Sequence, residues 1–147
     1  MDALAELAAS IRRVFPASWL EPVTADQLAA ERRDHPDAPS DYLEFLQRVG
    51  WGSLGGSNFM IYSGLVGPSD IFDPTTAAEL TGVLLLGDDF SGWSVGFDTR
   101  AGWRLVGTDH GAEPHPLKQR SLSEYIAQLV ADAQDDEPDA SPVAENI

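Results

Sequence analysis

The chain has 147 residues, with 24 Asp and Glu against 9 Lys and Arg, a formal net charge of -15. That balance argues against nucleic acid and anionic membranes as direct partners, because both are held largely by Lys and Arg. Cysteine is absent, which removes disulfides, thiolate nucleophiles and thiolate metal sites, and 43% hydrophobic residues suit one core in a chain too short for two typical domains. No apolar run approaches the roughly 20 residues that span a bilayer, and no basic segment leads into an apolar one at the N-terminus. The expectation is a cytoplasmic protein.

Taken in chain order, Leu4, Leu7, Ala8, Ile11, Val14 and Phe15 recur at helical spacing behind Asp2, a capping residue, and the helix ends before Pro16. Thr24 and Gln27 form a capping-box pattern opening a second helix that finishes near His35. A third helix starts at Pro39 or Ser40, packs through Tyr42, Leu43, Phe45, Leu46 and Val49, and stops at Gly50. The period then changes: Phe59 to Ser63 alternates as a strand does, and Asp73-Pro74 caps a short helix ended by Gly82. The apolar run Val83 to Leu86 reads as a central strand covered on both faces. Trp93, Val95 and Phe97 alternate with small or polar residues, and Trp103 to Val106 follows a turn at Thr99 to Gly102, which gives a hairpin. A polar loop from Thr108 to Gln119 leads to Ser121 and Glu124, a second capping-box pattern, and to a last helix built on Leu122, Tyr125, Ile126, Leu129 and Val130.

This order implies an α+β fold: a single domain with a mainly antiparallel or mixed sheet, helices packed on one face, and helices at the N- and C-terminal ends. The domain spans residues 1–132, and residues 133–147 form an acidic, proline-containing tail expected to be disordered.

Three motifs suggest chemistry and each fails on context. Gly92-Trp93-Ser94-Val95-Gly96 fits the nucleophile-elbow pattern, with Asp109 and His110 or His115 following in hydrolase order, but an elbow needs a strand turning into a helix and here strand follows strand. Gly50-Trp51-Gly52-Ser53-Leu54-Gly55 fits the dinucleotide glycine pattern but follows a helix and precedes a strand, the reverse of the required order. Asp109, His110, Glu113 and His115, with Asp88 and Asp89 nearby, lack both paired histidines at helical spacing and the oxygen ladder of a calcium loop. The expectation is a protein that is not an enzyme and that takes neither cofactor nor metal.

Four segments in order carry a family resemblance. Pro39-Ser-Asp-Tyr42-Leu-Glu-Phe45-Leu46 closing on Val49-Gly50-Trp51-Gly52, the run Leu85 to Gly92, Phe97-Asp98 with Val106 to His110, and Ser121 to Ile126 together resemble motifs of the SUKH superfamily, the Smi/Knr-like group. Two departures are Ala38, where the family usually has a larger apolar residue, and the glycine-rich stretch Ser53 to Asn58. The resemblance implies an α+β domain without catalytic residues, acting as an immunity protein that neutralises a cognate polymorphic toxin, often a nuclease. The alternative it implies is a regulatory or scaffolding module binding an endogenous protein.

The partner is then a basic protein, because the stretch between Arg48 and Arg100 holds six acids and no Lys or Arg. Asp88, Asp89, Trp93, Asp98, Trp103, Asp109 and Glu113 are the candidate partner-binding residues, on the expectation that turns bring these acids beside the two tryptophans.

Overall fold

The computed structural model describes residues 2–135. Seven strands form one sheet in sequence order, every neighbouring pair antiparallel: β1 Trp19–Glu21, β2 Trp51–Leu54, β3 Phe59–Val66, β4 Val83–Asp88, β5 Trp93–Asp98, β6 Arg104–Asp109 and β7 His115–Pro116. Four helices supply the cover of one face: α1 Ala3–Val14, α2 Ala25–Asp34, α3 Ser40–Arg48 and α5 Leu122–Asp135. Their apolar stripes meet Leu54, Phe59, Ile61, Leu86, Val95, Phe97 and Leu105 in the main core.

Helix starts follow local chemistry closely. Asp2 accepts from the Ala5 amide at 2.9 Å, and Thr24 and Gln27 close a full capping box, each side chain satisfying an otherwise unpaired backbone donor. At α5 only half the box closes: Ser121 accepts from the Glu124 amide at 3.1 Å, while Glu124 reaches the Arg120 amide at 2.9 Å. Helices are tied to one another by Arg48 on Asp2 at 2.6 Å and by the Ser123 hydroxyl donating to Asp41 at 3.0 Å.

The opposite, outer face carries its own cover. A 3-10 turn at Pro68–Asp70 and the helix α4, Pro74–Glu79, lie in the connection between β3 and β4, and Phe72 and Leu80 from this segment pack on Val83, Leu85 and Val106. Asp73 caps α4 with Pro74 in its first turn, as the sequence implies. The helical cover is therefore not confined to one face. The central position of β4 between two apolar clusters explains its unbroken apolar run.

Three expectations are corrected. The glycine-rich stretch after α3 turns at once into strand β2, and Gly52 is glycine because a Cβ there would strike the Trp19 carbonyl of β1. The polar loop after β6 contains β7, and helix α5 continues to Asp135, into the segment assigned to the tail. The rest of that tail assignment, residues 136–147, lies outside the described residues.

Tyr42 lies wholly buried in the core against Phe97, with ring centroids 5.5 Å apart, and its hydroxyl has no hydrogen-bond partner among the described residues. Burial, with the nearby Glu31 charge adding to it, pushes its phenol far above the ordinary value. An unsatisfied buried hydroxyl costs about 1 kcal/mol or more. Tyr42→Phe should therefore leave the urea midpoint unchanged or raise stability by up to about 1 kcal/mol; a loss of that size would mean the hydroxyl is bonded in the folded protein.

Candidate functional site

The β4–β5 hairpin organises one end of the outer face. Within its turn, Asp88 Oδ1 accepts from the Phe90 amide at 2.8 Å, and Asp89 Oδ1 accepts from the Ser91 and Trp93 amides at 2.9 and 3.1 Å and from the Ser91 hydroxyl at 3.1 Å. These bonds hold Phe90 at φ 68°, a left-handed backbone unusual for an aromatic residue, and the residue is 51% exposed. Burial raises the Asp89 pKa, but the hydrogen bonds from Ser91 and Trp93 outweigh it and hold the carboxyl below its ordinary value. Asp89 is thus the fastener of the turn.

The strands behind this turn form the floor of a groove. Asp88 pairs with Ser94 on β5 and with Met60 on β3, so Asp88 and Ser94 share the outer face with Tyr62, whose hydroxyl donates to Asp88 Oδ2 at 2.5 Å. Ile71, Phe72, Asp73 and Thr76 form the far wall, and Gly92 and His110 close the end; the space enclosed is about 410 Å³. Gly92 has φ 108°, and the His110 ring packs where a Cβ would stand. Asp73 and Asp88 are the acids of the lining, which includes no Lys or Arg. The only nitrogen base there, His110, has Nδ1 engaged by Asp109 Oδ1 at 2.8 Å. Ile71 and Phe90, two of the three large apolar residues exposed among the described residues, flank this end.

The sequence-derived candidates divide between the two ends of the sheet. Asp88, Asp89, Trp93 and Asp109 meet at the hairpin end, since Trp93 pairs with Asp109. Asp98 pairs with Val83 and Arg104 at the other end, about 17 Å along β5 from Trp93, and caps the turn before Trp103. Glu113 lies exposed between β6 and β7. The expected single cluster is corrected here: β5 is traversed from Trp93 to Asp98 before the chain turns, so its two flanking turns are at opposite ends.

Both tryptophans are half-buried and engaged within the fold. Trp93 points to the helical side, its indole N–H donating to the Tyr125 hydroxyl at 3.0 Å, and Trp103 packs against Phe97 and His35 with ring centroids 5.8 and 6.5 Å away. The exposed tryptophan is Trp19, on edge strand β1, edge-on to Trp51 at 5.1 Å. Sequence reasoning missed Tyr62, Ile71, Phe72 and Thr76, whose place in the groove follows from the path of the β3–β4 connection. The one signal was Phe90 itself, an aromatic flanked by turn-forming Asp88-Asp89 and Ser91-Gly92.

Ser94 and His110 both line the groove and Asp109 holds His110, yet no hydrogen bond joins Ser94 to His110, and β5 continues as strand to Asp98. No group of three His, Asp or Glu among the described residues is placed to hold a metal ion. No helix among them is long and apolar enough to cross a membrane. Comparison with protein-family models and with curated proteins gives no match.

The role of Asp89 has a pH signature. Because its folded pKa is lowered, its contribution to stability is complete above the ordinary value of 3.8 and is lost as pH falls through the lower folded value. Asp89→Ala should cost about 1–2 kcal/mol near neutrality by removing the acceptor of three donors. Asp89→Asn, with one oxygen kept and no charge to titrate, should lose less stability than wild type between pH 4 and pH 2 in urea unfolding, a range set by the 3.8 reference value. Equal acid sensitivity of the two proteins would remove Asp89 from this role.

Proposed function

We propose that the protein acts by binding, without catalysis, and that the acidic, apolar-flanked groove at the hairpin end is where it receives a basic protein. The observation that carries this reading is the pairing of uncompensated carboxylates, Asp73 and Asp88, with exposed Ile71 and Phe90 at one place on a sheet face. Apolar anchors supply affinity, and a field of one sign speeds encounter with an oppositely charged surface. Exposed apolar residues without such a role would favour association of copies, which the surrounding charge opposes.

The resemblance to the SUKH superfamily narrows the proposal to an immunity protein that covers a toxin domain, with a nuclease as the fitting class. The surroundings of a nuclease active site are basic because its substrate is anionic, and an acidic inhibitor exploits that surface.

The test is binding of the purified chain to the polypeptide encoded beside it, followed by inhibition of that polypeptide's activity. Asn keeps the cap geometry at Asp73 while removing its charge, and Asp88→Asn removes the second charge at the cost of one acceptor, so the double variant is first checked to be folded and the salt dependence of its association then reports the electrostatics. The double variant should associate several-fold to about tenfold more slowly at low salt, with the difference shrinking as ionic strength rises. Tight binding without inhibition would favour a regulatory module. Absence of binding, or an association rate indifferent to both salt and the double variant, would contradict the reading.

A further inference from the structure

We propose, resting on the binding role above, that this groove is a seat for a single arginine side chain of the basic partner. The floor supplies the first reason. Ser94 lines the groove, and its hydroxyl, open to that space, makes no side-chain hydrogen bond among the described residues. A hydroxyl that lines an open groove and makes no bond within the protein is free to accept from a donor that arrives there. Beside it, Asp88 uses one oxygen for Tyr62 and the other for Phe90, which leaves lone pairs on both for further donors.

The wall supplies the second. Tyr62 and Phe72 line the same space, and aromatic surface attracts a cation laid against it. A guanidinium fits these demands together: it is planar, weakly hydrated, stacks on rings, and offers five donors in a fixed fork to a carboxylate and a hydroxyl. An ammonium is a compact, strongly hydrated point charge and gains less from an apolar wall. The groove's roughly 410 Å³ leaves room for the side chain and the backbone that carries it.

The experiment uses the full chain and three blocked amino acids as probes, N-acetyl N-methylamides of arginine, citrulline and lysine, followed by amide shifts in 15N–1H NMR. The arginine compound should give saturable shifts centred on residues 72–76 and 88–94, with citrulline and lysine each at least fivefold weaker. Ser94→Ala should weaken arginine at least threefold, and Asp88→Asn should abolish its saturation, with the rest of each spectrum preserved. Shifts scattered over the acidic surface, an equal response to lysine, or indifference to both substitutions would overturn the seat. Loss of the seat with salt-dependent partner binding intact would leave the proposed function standing. A seated arginine probe with no binding to the adjacent-gene polypeptide would remove the proposed function and keep the site.

Discussion

Between Leu85, which pairs with Gly96, and Gly87, which pairs with Val95, β4 carries one residue more than β5. Side chains alternate along a strand, so an unbulged register would set Asp88 opposite Trp93, on the face covered by α1, α2, α3 and α5. The extra residue sets Asp88 opposite Ser94 instead. Leu86 stays with the main core while Leu85 joins the outer cluster, and the carboxylate that would have been driven into apolar surroundings reaches Tyr62 on the outer face. A buried unpaired carboxylate is costly, so register, packing and the position of the acidic groove are decided by one insertion.

The groove exists because the two faces of the sheet are covered unequally. Four helices enclose the inner face, and the core there holds the largest buried side chains, Tyr42, Phe45, Phe59 and Phe97 among them. The outer cover is a short segment, with Phe72 and Leu80 packed on Val83, Leu85 and Val106. That cluster seals one half of the outer face. At the hairpin end the cover stands away from the sheet, leaving Ser94 as floor and Phe72 as wall. Charge follows the same division: Asp73 and Asp88 stand at the open half, whereas Arg100, the first Lys or Arg after Arg48, packs against Gly82 near the far end.

Local chemistry was legible in the sequence. The caps at Asp2, Thr24 and Asp73 depend on residues three positions away, and the alternation from Trp93 to Phe97 marks a strand without any partner. β1, β2 and β7 escaped notice because strands of three, four and two residues give no period to read, and their identity comes from pairing. Alternation also placed Trp93 on one face with Val95 and Phe97 without saying which face would carry helices. The acids of the hairpin end were visible, since Asp88, Asp89 and Asp109 are brought together by hairpin pairing alone. Tyr62 and Phe72 join them only through the β3–β4 connection, and the bulge that orients Asp88 is a relation between two strands.

The claim on which the functional account rests is that the outer face at the hairpin end receives the partner. Hydrogen exchange of the backbone amides, measured for the chain alone and saturated with the polypeptide encoded beside it, locates the covered surface directly. The account predicts added protection at residues 71–76, the turn 88–93 and residues 109–111, with α1 and α5 unchanged. Protection confined to those helices, or to edge strand β1 around Trp19, would contradict it.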